Sequence, residues 1–578
     1  MASGYVVCAV IFCILSFLVT LILFRYYARL SARSMPILCS VFIIIAVYAS
    51  LVPFPLLVVD LEAALEASRK GVAPGEVWLI PVWYTIMAVT NIMGWVVLPV
   101  SHAYTEVGQF TVKGKLLHSI KENAKLYAIS IVIFLVLLAY VAFLKGAHDS
   151  FSIINLVTAM ANAWGLLLLV LFMSTGLVLV PKMLWQKSDS IGMLRAVYYR
   201  AVDIQEDRDI AFSDLMDVMA ELVALSTTVP ERYKVYCNMM MQLIDDCEPE
   251  GNKRFSQPST APSGRQRAVS DLSLEHLQKL HERVKKSIKM ARRADYSWDA
   301  TVSSATFYEN LICGSEGTNN VFTKVWFAIR GPVYKLASAF TFIVTVLILW
   351  SELTLPFRSL TEKKLSVVAL VVDSPVGLFG SMVFLFYMAY CAYWAIFQLK
   401  VFDVYVILPE ISDNASLCFV ATFLSRLIMP LCFNFLLMTG NTDDSVDVMY
   451  GHVYHRNMDA SYLLGSWLNE CIPIFIVVVA ALVLVNIVQC LLRLASVEVR
   501  NPNDIALPEV RRQIEDGHRL ISRAVGRPLG DMNPKVLGSF RPETGLNISS
   551  TTGNHGNSTA ARGERYREYI AKRMEEAK

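Results

Sequence analysis

The sequence WVVLPVSHAYTEVGQFTVKGK (residues 95–115) opens the stretch that decides the fold, which runs from Trp95 to Trp185. It continues with ANAWG at 161–165 and GLVLVP at 176–181. Two apolar spans of about 20 residues lie within this stretch, and each is long enough to cross a bilayer as a helix. Polar residues interrupt them where lipid offers no hydrogen-bond partner. The pattern predicts a membrane protein.

The composition of the whole chain supports this prediction. Of its 578 residues, 55% are hydrophobic and 17% are charged, and the mean hydropathy is +0.47. Soluble domains carry about a quarter charged residues. The net charge of +3 is small, and we expect no nucleic-acid partner. The eleven cysteines form no CxxC pair, so we expect no disulfide framework, structural zinc or cofactor.

About nine apolar spans have the length of a transmembrane helix. Their approximate bounds are 5–25, 36–58, 78–104, 125–145, 152–181, 334–354, 375–398, 417–438 and 472–495. Five precede a polar stretch and four follow it. We therefore predict an all-α, polytopic integral membrane protein with a 5+4 arrangement of about nine helices, split by a helical, coiled-coil-prone cytoplasmic loop.

Composition shifts divide the chain into four regions. They are a membrane region at 1–185, a cytoplasmic helical loop at 186–331, a second membrane region at 332–496 and a largely disordered cytoplasmic tail at 497–578. Residues 249–268 are rich in Pro, Ser and Gly and predict a flexible break within the loop. A short helix is expected at 505–524 within the tail.

The charges beside the spans predict the topology. Arg25, Arg29 and Arg33 follow the first span, and positive charge marks the cytoplasmic side. The acidic loops 59–77 and 439–471 suit the outside. We expect the N-terminus outside and the C-terminus in the cytoplasm, with the plasma membrane favoured and an endosome or lysosome as the alternative.

The long loop has helical periodicity, with apolar residues three and four apart. The first stripe is Phe212, Leu215, Met219, Leu222 and Leu225, the second is Tyr236, Met240, Leu243 and Cys247, and the third is Leu277, Leu280, Val284, Ile288 and Ala291. Helices of this kind pair as a hairpin or a short coiled coil.

The helix that carries the third stripe also has a basic face. Its members are Lys279, Arg283, Lys285, Lys286, Lys289, Arg292 and Arg293. Two interpretations stay open, since such a face either contacts anionic lipid beside the membrane or is the solvated side of a helical hairpin.

Ser270 is a candidate for phosphorylation because Arg265 and Arg267 precede it within the flexible break. A phosphate at a helix N-terminus is stabilised by free amides and the helix dipole. The alternative is an unmodified serine that caps the helix.

Three polar residues within the spans form a candidate intramembrane site: Asn91, Asn162 and Arg426. A charge at the centre of a span costs roughly 3 kcal/mol or more. Arg426 lies about two turns into its span, so its side chain either reaches toward the membrane surface or makes an inward contact. The site serves either internal bonding or a ligand and transport pathway.

Dispersed motifs carry a resemblance to a known family over about 75–500. The first group is Trp95, Leu98, Pro99, Tyr104, Gly108, Phe110, Thr111, Gly114, Lys115, Glu122, Asn123, Ala124 and Tyr127. The second is Ala161, Asn162, Trp164, Gly165, Gly176, Leu177, Val178 and Pro181. The third is Leu277, Leu280, His281, Val284, Lys285 and Trp298, and the fourth is Arg426, Leu427, Pro430, Leu431, Cys432, Asn434, Phe435 and Leu436.

In these motifs the chain resembles the limb-region (LMBR-type) family of multispanning membrane proteins, and most closely its LMBR-domain-containing-2 branch. The resemblance implies nine helices, an outside N-terminus and a helical cytoplasmic loop. It also implies a role in receptor internalisation, in escort of another membrane protein, or in tuning of G-protein-coupled receptor signalling. It brings no catalytic residues.

Two functional classes remain. The chain has no GxxxxGK[ST], HExxH or GxSxG motif, so we expect no enzyme. His452 and His455 lie near acidic residues, but a solvated acidic loop without helical periodicity is the favoured interpretation over a metal site. We favour a non-catalytic receptor, escort or trafficking adaptor that contacts another membrane protein through loop 186–331. The alternative is a transporter or channel with a midplane polar site.

Overall fold

Helices make up almost all of the structure that the chain shows. The computed structural model describes residues 2–28, 37–71, 78–145, 153–245, 274–313, 321–357, 365–398, 407–440, 448–457, 467–486 and 508–526. Within these ranges one isolated bridge joins Ala28 to Ser412, and no strand is described. The predicted break at 249–268 and Ser270 lie outside the described residues.

Ten helices precede the second group of spans. They are α1 (Ala2–Tyr27), α2 (Ile37–Leu51), α3 (Pro53–Lys70), α4 (Leu79–Ile92), α5 (Leu98–Glu106), α6 (Val112–Lys145), α7 (Ile153–Ser188), α8 (Ser190–Thr228), α9 (Glu231–Asp245) and α10 (Leu274–Cys313). A π-helical segment, Met93–Val97, joins α4 to α5.

Seven further helices follow. They are α11 (Val321–Thr354), α12 (Val367–Val372), α13 (Gly377–Phe397), α14 (Asn414–Thr439), α15 (Met449–Asn457), α16 (Trp467–Leu484) and α17 (Pro508–Val525). The helix expected at 505–524 is therefore present as α17.

Seven described segments are long and apolar enough to cross a membrane. They are Gly4–Tyr27, Ile37–Lys70, Leu79–Glu106, Asn162–Ser188, Lys324–Thr354, Gly377–Phe397 and Asn414–Thr439. This confirms the all-α, multispanning fold. The predicted span 125–145 lies in α6, and the described part of the predicted span 472–495 begins in α16, which ends at Leu484. Neither helix is among the seven, so the count of nine stays a prediction.

Two segments that we expected to be loops are partly helical. Residues 59–70 of the predicted loop 59–77 continue α3, because the buried residues Leu61, Ala64 and Leu65 keep facing the protein interior. The predicted loop 439–471 contains α15, so the expectation of a segment without a helix around His452 is wrong. The side chains of Tyr450 and Tyr454 are buried and hold α15 against the neighbouring helices.

Proline interrupts the hydrogen bonding of α7, and the neighbouring helix α11 compensates. Pro181 has no N–H, so it cannot bond to the carbonyl of Leu177 four residues earlier. The hydroxyl of Thr345 donates to that carbonyl at 3.0 Å. Ser338 likewise donates to the carbonyl of Pro181 at 2.9 Å. A buried proline is thereby tolerated, and α11 is fixed against α7.

Pro99 creates the same situation where α4 continues into α5. It cannot donate to the carbonyl of Trp95, and the hydroxyl of Tyr127 on α6 bonds there instead. In the π-helical segment the amide of Leu98 bonds to Met93 with a five-residue spacing. The next bond in that spacing would join Pro99 to Gly94, and no N–H is available for it.

Glycines allow the membrane helices to approach one another closely. A Cβ atom added at Gly176 of α7 would lie 2.0 Å from the carbonyl oxygen of Cys391 on α13. One added at Gly165 would lie 2.5 Å from the carbonyl oxygen of Arg426 on α14. These two glycines therefore set the distances of α7 from α13 and α14.

Helices α8 and α10 form an antiparallel hairpin, which we call the polar hairpin. Arg208 bonds to Asp295, and Glu221, farther along α8, pairs with Arg283, nearer the start of α10. The first and third predicted stripes pack together with α9 in one hydrophobic core. Helix α17 packs on α8, since a Cβ at Gly517 would lie 1.9 Å from the carbonyl oxygen of Tyr198. An extended coiled coil is not shown and stays a prediction.

We expect Gly176→Ala to destabilise the protein, because the added methyl group meets backbone that cannot turn away. The loss should be at least the roughly 1–3 kcal/mol that overpacking usually costs. The matched control is Gly331→Ala in α11, where the nearest atom to a Cβ is 3.7 Å away. Thermal unfolding in detergent measures both, and equal midpoints would contradict the close crossing.

We expect Thr345→Val to lower stability by about 1–2 kcal/mol, because the carbonyl of Leu177 loses its donor. In a Pro181→Ala background the restored amide bonds to that carbonyl, so the same change should cost less. A double-mutant cycle of unfolding free energies measures this coupling. Additive effects would show that the two residues do not compensate for each other.

Candidate functional sites

The three predicted intramembrane residues bond to three different partners. Asn91 donates to the carbonyl of Met87 in its own helix at 2.9 Å. Asn162 is buried and donates to the hydroxyl of Tyr454 on α15. The bond of Asn162 joins α7 to α15, whereas that of Asn91 lies within α4. A shared ligand site of Asn91, Asn162 and Arg426 stays a prediction.

Arg426 occupies the place of the amide that Pro99 lacks. Its Nε donates to the carbonyl of Gly94 at 3.1 Å, within the π-helical segment. Its guanidinium also lies over the ring of Trp95, 4.0 Å from the ring centre. A cation over an aromatic ring is stabilised by the negative face of the ring. Hydrogen bonding and ring stacking thus satisfy Arg426 within the protein.

A buried carboxyl group anchors α15 to the membrane helices. Asp60 on α3 accepts a hydrogen bond from the indole of Trp83 at 3.0 Å. It also accepts bonds from the amides of Met449 and Tyr450 at 3.1 and 2.8 Å. A carboxylate at a helix N-terminus satisfies free amides and is favoured by the helix dipole. Asp60 therefore joins α3, α4 and α15.

A small crevice lies beside this carboxyl group, but it offers no pathway. Its lining residues are Trp83, Met87, Met429, Tyr450, Val453 and Tyr454. It has no room for a water molecule. Stacking of Tyr454 on Phe433, with ring centres 3.9 Å apart, closes it further.

The polar hairpin meets the membrane helices at a second polar cluster, which we call the junction. It consists of Glu106, Gly108, His281, Lys285, Lys289, Arg293 and Asp413, from the end of α5, the α5–α6 connection, α10 and the residue before α14. The junction is where the first and third groups of resemblance-carrying residues make contact.

The α5–α6 connection approaches the backbone of α10 at the junction. A Cβ at Gly108 would lie 2.1 Å from the carbonyl oxygen of Gln278, so only glycine fits there. Lys285 donates to the carbonyls of Thr105 and Val107 at 3.3 and 2.9 Å. These carbonyls lie at the end of α5, where a lysine side chain satisfies free acceptors. Burial lowers the pKa of Lys285 to about 8.

His281 holds the same connection from the side. Its Nδ1 lies 2.8 Å from the carbonyl oxygen of Gly108, and a neutral imidazole donates its N–H there. Its ring stacks on Phe110, which in turn stacks on Tyr236 of α9. Burial, followed by the charge of Lys285, lowers the pKa of His281 to about 4. His281 is therefore neutral at physiological pH.

The carboxyl group of Asp413, the residue before α14, forms ion pairs with two basic side chains of α10. Asp413 lies 3.0 Å from the amine of Lys289 and 2.6 Å from the guanidinium of Arg293. Lys289 also bonds to Glu106 at 2.8 Å. Burial alone would raise the pKa of Asp413, but the two positive charges hold it below its ordinary value. These partly buried ion pairs join α10 to the start of α14.

The structure thus divides the predicted basic face of α10. Lys285, Lys289 and Arg293 point into the junction. Lys279 pairs with Glu275 on its own helix and Arg283 pairs with Glu221 on α8. Lys286 is exposed, and Arg292 is partly exposed. Contact of this face with anionic lipid stays a prediction.

The sequence does not predict the bonding roles of several of these residues. Asp60 was assigned to an outer loop, although an acidic residue inside the apolar run LLVVDLEAAL indicates a buried role. Asp413 precedes a run that begins NASLCFV, which is a recognisable helix start. No local sequence pattern predicts the hydrogen bond between His281 and Gly108, because the two residues are 173 positions apart along the chain.

Acid should weaken the junction through His281. Unfolded histidine titrates near 6.5 and folded His281 near 4, so the unfolded state takes up more protons between these pH values. Stability should therefore be full above pH 6.5 and fall by about 2 kcal/mol at pH 5. Asp413 stays ionised over this range, since its pKa lies below the ordinary value.

His281→Asn should remove this part of the pH dependence, because the amide still donates but does not titrate. Unfolding midpoints at pH 7 and pH 5 measure the effect. His276→Asn on the exposed side of α10 is the control and should retain the wild-type dependence. Identical pH dependence in both variants would contradict the role of His281.

Comparison with known proteins agrees with the geometry. The family model described as LMBR1-like membrane protein matches residues 4–488. The chain is 26% identical over 501 residues to the LMBR1 domain-containing protein 2 homolog A of Dictyostelium discoideum, covering 81% of this chain and 65% of that protein. No solved structure matches the chain.

Two animal relatives have similar sequence identity to this chain. The LMBR1 domain-containing protein 2 homolog of Drosophila melanogaster is 25% identical, over 63% of this chain and 57% of its own length. The G-protein coupled receptor-associated protein LMBRD2 of Homo sapiens is 25% identical, over 63% of this chain and 56% of its own length. The chain thus spans less than two thirds of the length of these relatives. Because the family model covers most of its residues, the chain belongs to the LMBR1-like membrane protein family.

Proposed function

We propose that this protein is a non-catalytic membrane adaptor that associates with G-protein-coupled receptors. Several relatives are named G-protein coupled receptor-associated proteins, and their names describe no enzyme. The structural observation that carries the proposal is the junction. Because it fixes the polar hairpin against α5 and α14, the hairpin can present one defined surface to a membrane partner.

The contacts of the intramembrane polar residues support an adaptor over a transporter. Asn91, Asn162 and Arg426 bond to helix backbone or to a tyrosine, and the crevice beside Tyr454 has no room for a water molecule. Transport through a midplane site is the alternative. It would require these contacts to open in a second conformation.

We further propose that the four regions at 1–185, 186–331, 332–496 and 497–578 act as separate functional parts. The N-terminus lies outside and the polar hairpin lies in the cytoplasm, as the basic residue Arg25 and the basic face of α10 suggest. The plasma membrane is the favoured location. Lys279, Arg283, Lys286 and Arg292 contact anionic lipid, and Ser270, two residues after the flexible break, is a phosphorylation site.

Proximity labelling in living cells tests the adaptor proposal. A labelling enzyme inserted within residues 249–268 should enrich one or a few G-protein-coupled receptors over bulk membrane proteins. We expect Arg426→Gln to keep this enrichment, because Arg426 bonds inside the membrane region and not on the hairpin surface.

Asp413→Asn should reduce receptor enrichment several-fold, because Lys289 and Arg293 lose their carboxylate and the hairpin loses its fixed position. Asp516→Asn, at an exposed pair with Arg519 on α17, is the matched control. Both variants must reach the membrane in equal amounts. If the wild-type protein labels only bulk membrane proteins, that result would contradict the adaptor proposal. It would favour the transporter alternative, which transport assays would then test.

A further inference from the structure

Two carboxyl groups are buried among the described membrane helices, and their surroundings differ. Asp60 is 1% exposed and Glu352 is 0% exposed. Both oxygens of Asp60 accept N–H bonds, from Trp83 and from two amides of α15. Donors on both oxygens are what an ionised carboxylate requires. Asp60 is therefore suited to carry its negative charge.

Glu352 has no such set of donors. It lies near the end of α11, and its Oε1 accepts one bond from Nδ2 of Asn434 on α14 at 2.6 Å. Its Oε2 is buried and has no hydrogen-bond partner among the described residues. The Oδ1 of Asn434 is buried and lacks a partner in the same way. The two side chains thus share one bond and leave two oxygen acceptors unsatisfied.

We propose that Glu352 is a proton-binding site, in which one proton on Oε2 joins the carboxylic acid to Oδ1 of Asn434. The acid O–H then donates to the amide oxygen while the amide N–H donates to the acid carbonyl oxygen. This cyclic pair satisfies both remaining acceptors with a single proton. It is the only protonation state of the pair in which each buried acceptor has a donor.

The other protonation state leaves a charge without compensation. An ionised Glu352 would place a negative oxygen in the interior of a membrane protein with no donor, which is strongly unfavourable. Exchanging the oxygen and nitrogen of the Asn434 amide does not help, because its one amino group cannot reach both positions.

Among the described side chains, no cation is bonded to Glu352 by the elements packed against it. Residues 162–181 of α7 and the whole of α12 contain no titratable side chain, and α14 contains Cys418, Arg426 and Cys432. Arg426 lies two turns before Asn434, where it contacts Gly94 and Trp95. Glu470 and Cys471 of α16 lie outside the described side chains. Among the described residues, one contact at this end of α11 is the neutral bond from the amide of Val368 to the hydroxyl of Ser351.

Proton binding at Glu352 would control how α11 packs on α14. Asn434 lies 5 residues before the end of α14, on the side away from the junction. Ser366, before α12, bonds to the carbonyl of Met438 at 2.8 Å and closes the same region. Loss of the proton removes the second bond of the pair and admits water or separates the helices. The ligand of the site is thus the proton itself.

Infrared spectroscopy of the purified full-length protein tests the proposal directly. At neutral pH the wild type should show the carbonyl stretch of a protonated carboxylic acid, and Glu352→Gln should lack it. Glu66→Gln, which removes a carboxylate paired with Lys70, is the matched control and should keep the band. Absence of the band from the wild type, or its presence in Glu352→Gln, would overturn the proposal.

A stability measurement gives a second, independent test. Gln at position 352 reproduces the cyclic pair with two amides and needs no proton. The unfolding midpoint of the wild type should fall as pH rises from about 4, where glutamates of the unfolded chain lose their protons, to about 8–9, where buried glutamates lose theirs. The midpoint of Glu352→Gln should change less.

Equal pH dependence of the two proteins would count against the site. If Glu352→Gln fails to fold, the wild-type acid band alone decides, because it must persist at neutral pH while stability falls and disappear only where the folded carboxyl group itself loses its proton. These outcomes do not depend on whether receptors bind to the polar hairpin.

Discussion

The requirement that every buried backbone polar group has a partner governs the membrane region. Prolines at 99 and 181 remove amides from helices that lipid cannot hydrate. Hydroxyl groups of Tyr127 and Thr345 from neighbouring helices bond to the carbonyls that are left. Arg426 does the same for Gly94. Each proline thus leaves a carbonyl free in its own helix, and the hydrogen bond to that carbonyl fixes the neighbouring helix.

Hydrogen bonds to free backbone carbonyls also join the membrane region to the polar hairpin. Helix α5 ends at the junction with free carbonyls, and Lys285 of α10 satisfies two acceptors there. Glycine at 108 permits the approach, and His281 holds it from the side. Gly108, His281 and Lys285, which are among the residues that carry the family resemblance, thus form one contact between two parts of the protein.

The buried carboxyl groups show how hydrogen-bond partners decide charge. Asp60 accepts three N–H bonds and anchors the N-terminus of α15. Asp413 faces two cations before α14. Glu352 faces a single amide, and this difference in donors underlies the assignment of a proton to it. Each group joins helices, but only the last does so through a proton.

The sequence by itself determined the class of the protein, because span length and the 3.6-residue period of apolar residues are local properties. It predicted the multispanning all-α fold, the apolar stripes of the hairpin and a helix at 505–524, which the structure has at 508–525. Tertiary structure decided which polar residues meet. Periodicity assigned Lys285, Lys289 and Arg293 to a basic face, whereas α5 and Asp413 turn them inward. Likewise, Glu352 acquires its chemistry only when α14 brings Asn434 beside it, 82 residues later in the chain.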